Sequence, residues 1–227
     1  MNISLNIITF FLRIYFWLTL RLDAPDINKV PAHGPLIVIS NHTGQIEVPI
    51  LATLLQPRKT QGWGKAEAFN NPFLRWIFHN WGIIPVRRGE ADMGALKAAL
   101  RAIENNGIFG IAPEGTRNRT GQLKRAQSGT VTLALRSGAP IIPIAHWGGE
   151  NYLSNLIRFK RTDFHIRIGE PLKINVEGVK VSGEVRQQIV DEMMYELAKL
   201  LPEEYRGEYG DMSKATSKYI KKEITLS

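Results

Sequence analysis

The sequence predicts an α/β fold, in which a single domain has a central mixed, largely parallel sheet flanked by helices and is preceded by an N-terminal helix. The main observation is that short apolar runs alternate with helical patterns from residue 36 onward, as in proteins whose helices cover the faces of a sheet. The length of 227 residues and the 44% content of apolar residues suit one globular core. We therefore divide the chain into an N-terminal helix at 1–22, an α/β domain at 23–202 and a charged tail at 203–227.

The N-terminal segment, residues 1–22, is apolar apart from a narrow polar stripe. Its polar side chains recur in helical steps of four, three and four, namely at Asn2, Asn6, Thr9 and Arg13. It also concentrates aromatic residues of the kind enriched at membrane–water interfaces: Phe10, Phe11, Tyr15, Phe16 and Trp17. Twelve Ile, Leu and Phe residues favour insertion by roughly 0.3–0.6 kcal/mol each, whereas Arg13 opposes it by roughly 2.5–3.5 kcal/mol. The pattern favours an amphipathic helix lying in the membrane interface; a spanning helix and a helix packed on the protein's own core are the alternatives.

The remaining elements follow from hydrophobic periodicity and turn residues. Residues 23–35 carry three prolines and a glycine and are predicted to be a connector. Strands are predicted at 36–40, 83–86, 108–112, 141–145 and 164–168. Helices are predicted at about 45–55, 72–80, 91–106, 126–137 and 184–200. The tail is rich in lysine, so we expect it to be loose, either solvated or touching a membrane.

Composition narrows the possible partners and chemistry. A net charge of +8 suits an anionic partner, which could be a nucleic acid, an acidic bilayer or a phosphorylated substrate. The chain has no cysteine, which excludes disulfides, thiolate zinc sites and a cysteine nucleophile. Its five histidines have no metal-ligand spacing, so no metal is predicted. No recognisable nucleic-acid-binding motif appears, so we predict no nucleic acid partner.

The first candidate site follows the strand at 36–40, in the segment Ser40-Asn41-His42-Thr43-Gly44-Gln45-Ile46-Glu47. Sites in α/β sheets are built at the carboxyl ends of strands. A catalytic histidine needs a carboxylate that fixes its tautomer and stabilises the imidazolium. Five residues on a helix turn a side chain through ~500°, which leaves the two side chains about 140° apart. His42 and Glu47 can therefore meet only if His42 precedes the first turn; the alternative is an unrelated surface histidine.

The second candidate site is the basic loop after the run at 108–112, with the sequence Pro113-Glu114-Gly115-Thr116-Arg117. No Asp or Glu occurs between Gly115 and Gly149, whereas several arginines and a lysine do. A glycine-containing loop with a hydroxyl, backbone N–H groups and guanidinium groups can bind a phosphate. A solvated basic loop is an equally good interpretation of the bare pattern.

The third region, residues 62–88, combines basic residues with an aromatic helix. Four of its apolar side chains share one helical face: Phe69, Phe73, Trp76 and Ile77. This stripe is typical of a face that packs on the core, and a wall for an acyl chain is the alternative. Taken alone, Lys65 and Arg87 are ordinary surface charges.

The order of these motifs resembles that of the glycerolipid acyltransferase superfamily. The chain has Asn-His-x4-Glu at 41–47, Lys-x-Glu at 65–67, Pro-Glu-Gly-Thr-Arg at 113–117 and a proline-containing apolar strand at 141–145. The resemblance covers about residues 34–150 and is strongest to the 1-acylglycerol-3-phosphate acyltransferases, which make phosphatidic acid. These are membrane enzymes of α/β fold that use acyl-CoA or acyl carrier protein.

The resemblance implies a role for each matching residue. His42 corresponds to the family's catalytic base and Glu47 to its carboxylate partner. The phosphate-binding positions are Lys65 and Arg117. Arg87 is implied as an additional phosphate-binding residue, in preference to Arg88. The acceptor-site motif comprises Glu114, Gly115 and Thr116. The resemblance further implies no cofactor beyond the acyl-CoA or acyl-carrier-protein co-substrate, a lysophosphatidic-acid-type acceptor, and a membrane-associated protein that contacts the bilayer at its cytoplasmic face.

Glu47 departs from the family pattern, which usually has Asp. The extra methylene moves the carboxylate by about 1.5 Å, so either the backbone compensates or the pair is weakened. Alternatives within the class are an acyltransferase for glycerol 3-phosphate or for another lysophospholipid. From other classes, the alternatives are a non-catalytic basic membrane-binding protein and, least favoured, a nucleic-acid binder.

Overall fold

A computed structural model of the protein describes residues 3–44, 46–87 and 92–223. The helices are α1 (Ile3–Thr19), α2 (Glu47–Leu54), α3 (Pro72–Asn80), α4 (Met93–Glu104), α5 (Gly129–Ser137), α6 (Tyr152–Ile157) and α7 (Gly183–Ala198). The strands are β1 (Leu20–Asp23), β2 (Leu36–Ser40), β3 (Thr60–Lys65), β4 (Ile83–Val86), β5 (Ile108–Ile111), β6 (Ile141–Trp147), β7 (Thr162–Ile168), β8 (Leu172–Ile174) and β9 (Ile220–Lys222).

The strands form one mixed sheet in the order β1-β7-β6-β2-β5-β3-β4, with β8 beside β6 and β9 beside β8. Strands β2 to β6 run parallel to one another, whereas β7 and β8 pair with β6 in the antiparallel sense. The predicted α/β class with a mixed, largely parallel sheet is confirmed. The carboxyl ends of β2, β3, β4, β5 and β6 therefore lie along the same edge of the sheet.

Two cores cover the two faces of the sheet. Strand β2 is buried throughout, and its alternate residues contribute to opposite cores because successive side chains of a strand point to opposite faces. Ile37 and Ile39 pack on the side of α4, α5 and α7, and Leu36 and Val38 pack on the side of α1 and α2. A centrally placed strand buried on both faces explains its continuous apolar sequence.

All five predicted strands occur, but β1, β3, β8 and β9 were not predicted. Strand β3 has the sequence TQGWGK and lacks an apolar run. Its Gly62 lies so close to β5 that a Cβ atom would approach the carbonyl oxygen of Gly110 to 3.0 Å. The glycine that permits this close pairing also removes the hydrophobic pattern that identifies a strand.

The prediction of a loose tail is wrong for residues 203–223. Strand β9 pairs with β8, and Tyr209 and Ile220 are buried in the core that contains α7. The buried carboxylate of Glu192 accepts hydrogen bonds from the Thr216 hydroxyl at 2.7 Å and from the Tyr219 N–H at 2.9 Å. The lysines that suggested a solvated tail are interspersed with buried residues, Tyr209, Tyr219 and Ile220, that anchor it.

Helix α1 ends at Thr19, so the last residues of the predicted 1–22 helix belong to β1 instead. Phe16 is buried against the domain, whereas the side chains of Phe10, Phe11 and Trp17 are exposed. Packing on the protein's own core therefore accounts for Phe16 but not for the other aromatic residues. Within the described ranges, no helix has the length and apolar character needed to cross a membrane.

Candidate active site

His42 lies in the loop between β2, which ends at Ser40, and α2, which begins at Glu47. Its ring Nδ1 is 2.8 Å from Oε1 of Glu47, and the N–H of Gly44 donates to the same oxygen at 3.0 Å. A carboxylate can only accept, so the proton of the neutral imidazole resides on Nδ1. The Nε2 atom of His42 is thereby left with a free lone pair, as a general base requires.

The carboxylate of Glu47 is almost completely buried, with 3% of the side chain exposed against 14% for His42. Burial raises the pKa of Glu47, but hydrogen bonding, chiefly from His42, outweighs it and lowers the pKa to about 2. Glu47 is therefore ionised at neutral pH. Glu47 is the first residue of α2, and its longer side chain reaches His42 at a normal hydrogen-bond distance.

Three hydrogen bonds join Asn41, the residue before His42, to His146 on β6. The Asn41 side-chain amide donates to the His146 carbonyl at 2.8 Å and accepts from the His146 N–H at 3.0 Å. Nε2 of the fully buried His146 donates to the Asn41 carbonyl at 2.8 Å. Burial lowers the pKa of His146, so its ring is neutral. These bonds extend the β2–β6 pairing past Ser40 and fix the backbone that carries His42.

Replacing His146 tests this attachment. In His146→Leu the carbonyl of Asn41 loses its donor, which costs about 1–3 kcal/mol for a buried group left unpaired. We expect a lower Tm and a lower kcat with little change in KM. His146→Gln places an amide donor near the position of Nε2 and should restore most of both values. Equal losses in the two variants would contradict a role for this hydrogen bond.

The loop after β5 also forms hydrogen bonds with the backbone of His42. Oε1 of the buried Glu114 accepts from the N–H of His42 at 2.9 Å, and the N–H of Asn118 donates to the His42 carbonyl at 2.7 Å. Oε2 of Glu114 accepts from the N–H of Lys124 at 3.0 Å. Burial raises the pKa of Glu114. Gly115 has a left-handed φ of +69°, which turns the loop so that Thr116 and Arg117 are exposed.

The three predicted phosphate-binding cations lie at the same edge of the sheet as His42. Lys65 ends β3, Arg87 follows β4 and Arg117 follows β5, and all three are exposed. Adjacent strands are spaced by about 4.8 Å, which puts β3 about 10 Å and β4 about 14 Å from the strand of His42. Nζ of Lys65 is 3.8 Å from Glu67 Oε1, a separation at which an exposed pair is weak. Arg88 lies outside the described residues.

Two cavities meet at His42. The first, of about 140 Å³, lies between α2 and the sheet, and most of its lining is apolar, including Leu51, Leu55, Trp63, Trp81, Ile83 and Ile108. The second, of about 220 Å³, extends from His42 past Gly115 to Gly129 and Thr130 at the N-terminal end of α5. A helix N-terminus favours negative charge through its free N–H groups. One cavity thus suits an apolar chain and the other an anionic group.

Comparison with known proteins shows the family to which the chain belongs. The sequence profile of the Acyltransferase family matches residues 21–147, more than half of the chain. The chain belongs to the acyltransferase family. The 1-acyl-sn-glycerol-3-phosphate acyltransferase of Bacillus subtilis is 29% identical over 157 residues, which are 68% of this chain and 76% of the relative. The relative of the same name from Pseudomonas aeruginosa is 24% identical over 83% of this chain and 76% of its own length.

A solved structure shows the same fold. The crystal structure of the 1-acyl-sn-glycerophosphate acyltransferase from Thermotoga maritima superposes with a TM-score of 0.65 at 22% identity. The match covers 86% of this acyltransferase and 78% of the other chain. The family match spans β1 to β6, which are the strands that carry His42 and the basic loop.

The acyltransferase brings together some of the predicted site residues and leaves others apart. His42, Glu47 and Glu114 are joined by hydrogen bonds, and Gly115 lines the second cavity. Arg117 is next to Asn118, which bonds to the His42 backbone, but its side chain lines neither cavity. Among the residues that the structure describes, no three His, Asp or Glu side chains could hold a metal ion together.

The aromatic stripe of α3 does not line the apolar cavity at His42. Phe69 lies in a short 3-10 helix at 66–70, before α3 begins at Pro72, so the prediction that it shares one helical face with the other three residues is wrong. Its ring centroid is 5.1 Å from that of Phe78, with the two rings tilted, and Trp76 is exposed. The side chain of Phe73 lies outside the described part. Region 62–88 contributes Trp63, Trp81 and Ile83 to the cavity, residues that no helical periodicity connects.

Proposed function

We propose that this acyltransferase transfers a fatty acyl group from an acyl thioester, either acyl-CoA or acyl carrier protein, to the free hydroxyl of 1-acylglycerol 3-phosphate. The product is phosphatidic acid. The observation that carries the proposal is that the His42–Glu47 pair opens onto both an apolar cavity and a cavity with a helix N-terminus, at an edge bordered by cations. The names of the relatives, all 1-acylglycerol-3-phosphate acyltransferases, support the choice of acceptor.

In this mechanism neutral His42 is the general base. Its Nε2 takes the proton of the acceptor hydroxyl while the oxygen attacks the thioester carbonyl, a contribution of about 10²–10⁴-fold. Glu47 holds the ring orientation and stabilises the imidazolium through the 2.8 Å hydrogen bond. The thiolate then leaves and receives the proton back from His42. The acyl group passes directly to the acceptor, since the sequence has neither cysteine nor a G-x-S-x-G motif.

The basic loop supplies donors for the developing oxyanion. The N–H of Gly115 donates to the Ala112 carbonyl at 3.0 Å, and that of Asn118 donates to His42. Among the described contacts the N–H groups of Thr116 and Arg117 have no protein acceptor, so they are our candidates for the oxyanion site. Lys65, Arg87 and Arg117 bind the phosphate of the acceptor, which positions its hydroxyl beside His42.

Arg117→Ala should raise the KM for 1-acylglycerol 3-phosphate by about 10–100-fold, because a hydrogen bond to a charged group is worth about 1.5–3 kcal/mol. The KM for the acyl thioester should stay nearly constant. Arg119→Ala is the matched control, since Arg119 is also exposed and lies in the same loop. Steady-state kinetics with each substrate varied in turn separates the two values, and equal increases in both would refute a phosphate contact.

We also propose that the protein is membrane-associated at the cytoplasmic face, with the exposed apolar side of α1 lying in the bilayer interface. The exposed aromatic residues Phe10, Phe11 and Trp17 support this. Removing residues 1–22 would also delete most of β1, which pairs with β7. Substitution is therefore the cleaner test.

Phe11→Ser combined with Trp17→Ser should reduce sedimentation of the protein with phospholipid vesicles by about tenfold, because two large apolar side chains no longer leave water. Neither side chain contributes to the buried core, so the Tm should be unchanged. Wild-type sedimentation by the double variant would show that α1 is not the anchor.

A further inference from the structure

The connection between β6 and β7 exposes an unusual amount of apolar surface. The side chains of Leu153, Ile157 and Phe159 are 67%, 78% and 99% exposed, respectively. Leu153 and Ile157 are four residues apart and so lie on one face of α6, while Tyr152 on the neighbouring face is buried. Three large apolar side chains so close in sequence are more than the scattered exposure of a soluble surface.

The backbone holds this apolar surface in place. Phe159 has a left-handed φ of 54°, which is uncommon for a residue with a bulky side chain. Its N–H donates to the Leu156 carbonyl at 3.1 Å, and the N–H of Lys160 donates to the Asn155 carbonyl at 2.8 Å. The turn after α6 is therefore fixed by hydrogen bonds, and it presents the Phe159 ring entirely to the outside.

The same segment is basic. Residues 151–162 contain no Asp or Glu, and Arg158, Lys160 and Arg161 are all exposed. Two of the cations flank Phe159 directly. Apolar side chains beside cations match the interfacial region of a bilayer that contains anionic lipid, because lipid acyl chains and negatively charged head groups meet there.

The segment is continuous with α1. The Tyr152 hydroxyl donates to the Tyr15 hydroxyl at 2.7 Å and is 3.1 Å from the Thr19 hydroxyl. Nε of Arg161 donates to the Leu20 carbonyl at 3.0 Å. A cavity of about 260 Å³ lies between α1, α2 and this segment, and its lining includes both Arg13 and Arg161. Two arginines beside apolar walls suit a phospholipid, with its phosphate at the arginines and its acyl chains against the apolar walls.

The topology places the segment at the edge of the sheet that carries His42. Helix α6 follows the carboxyl end of β6, which is parallel to β2, and His42 follows the carboxyl end of β2. Strand β1 begins beside Thr162 at the start of β7, so the C-terminal end of α1 reaches this edge as well. Both exposed apolar elements therefore border the candidate active site.

We propose that the α6 segment, residues 152–161, is a second membrane-docking surface whose ligand is an anionic phospholipid bilayer. This inference rests on the proposed membrane association of α1 and adds to it a charge preference and an orientation. Leu153, Ile157 and Phe159 enter the interface, Arg158 and Lys160 contact head-group phosphates, and α1 binds the same bilayer alongside. The two contacts turn the His42 edge toward the membrane, so a lipid acceptor reaches His42 from the bilayer surface.

The test compares two variants of the full chain by vesicle sedimentation. The apolar variant carries Leu153→Ser, Ile157→Ser and Phe159→Asn, with asparagine chosen because it tolerates a left-handed backbone. The charge variant carries Arg158→Gln and Lys160→Gln. The control carries Met93→Ser and Val179→Ser, two exposed apolar residues outside the segment. Vesicles are phosphatidylcholine alone or phosphatidylcholine with phosphatidylglycerol, and Tm and analytical ultracentrifugation report folding and self-association.

The apolar variant should bind both kinds of vesicle about tenfold more weakly than the control. The charge variant should lose about tenfold only on the anionic vesicles, because surface cations contribute through lipid charge. Thiol release with a monomeric short-chain acceptor should be unchanged in both. Vesicle binding at the wild-type level in both variants, or a change in self-association in place of vesicle binding, overturns the proposal while leaving α1 as the anchor. No binding by the wild type overturns the membrane association itself.

Discussion

His42→Ala is expected to lower kcat for acyl transfer by about 10²–10⁴-fold, the range that a general base contributes. The physical reason is that no other described side chain presents a free imidazole lone pair where the two cavities meet. The variant keeps the Asn41–His146 hydrogen bonds and the contacts of the position 42 backbone with Glu114 and Asn118, so the fold should persist. Thiol release from the acyl thioester measures the effect directly.

His165→Ala is the matched control for His42→Ala. Nδ1 of His165 is 2.9 Å from Oδ2 of Asp23, so it forms a second imidazole–carboxylate pair outside both cavities. Because His165 lies outside the candidate active site, His165→Ala should retain the wild-type rate of acyl transfer. Retention of more than about one-tenth of the activity by His42→Ala would be far above the level left without a general base and would remove His42 from its proposed role.

Glu47→Asp is expected to lower kcat by about 10²-fold, although aspartate is the residue usual at this position in the family that the motifs resemble. In this chain the backbone places Oε1 of a glutamate 2.8 Å from Nδ1 of His42. Shortening the side chain by about 1.5 Å breaks that contact, and a misplacement of about 1 Å at a reacting group can cost about 10²-fold. A wild-type rate in Glu47→Asp would show that the loop adjusts freely and that the observed distance is not specific.

The low pKa of Glu47 adds a pH dependence to stability. Burial alone would raise the pKa of Glu47, but the hydrogen bond from His42 brings it from 4.5 to about 2 in the folded protein. A carboxyl with a lowered folded-state pKa stabilises the fold above its unfolded pKa, and that contribution is lost as the pH falls from about 4.5 to about 2. The difference in Tm between wild type and Glu47→Gln should therefore shrink as the pH is lowered through this range.

The sequence predicted the parts of the fold that local pattern determines. Strand β2 and helix α3 occur at the predicted residues, because the continuous apolar run at 36–40 and the helical pattern at 72–80 are local signals. Strand β3 and strand β9 were missed because their pairing depends on partners far along the chain. A two-glycine strand is stable beside Gly110, and a lysine-rich tail is ordered by Glu192.

In the candidate site, too, local features could be predicted from the sequence, whereas contacts between distant residues could not. The condition under which His42 and Glu47 can meet, namely that His42 precedes the first turn of the helix, could be stated from the sequence. The structure meets this condition because α2 begins at Glu47. The hydrogen bonds that fix His42 were not inferable, because Glu114 is 72 residues away and His146 is 105 residues from Asn41. A histidine within an apolar strand carries no local signal of a backbone partner on another strand. The direction of the Arg117 side chain likewise depends on a turn that sequence alone does not define.

The most direct test of the proposed function is thiol release from acyl-CoA or acyl carrier protein by the purified protein with each acceptor in turn. The acceptors are 1-acylglycerol 3-phosphate, glycerol 3-phosphate and an uncharged monoacylglycerol. We expect 1-acylglycerol 3-phosphate to accelerate thiol release and to be converted to phosphatidic acid, with both effects lost in His42→Ala. Equal thiol release with the uncharged acceptor, or thiol release that is independent of both acceptor and His42, would contradict the proposed function.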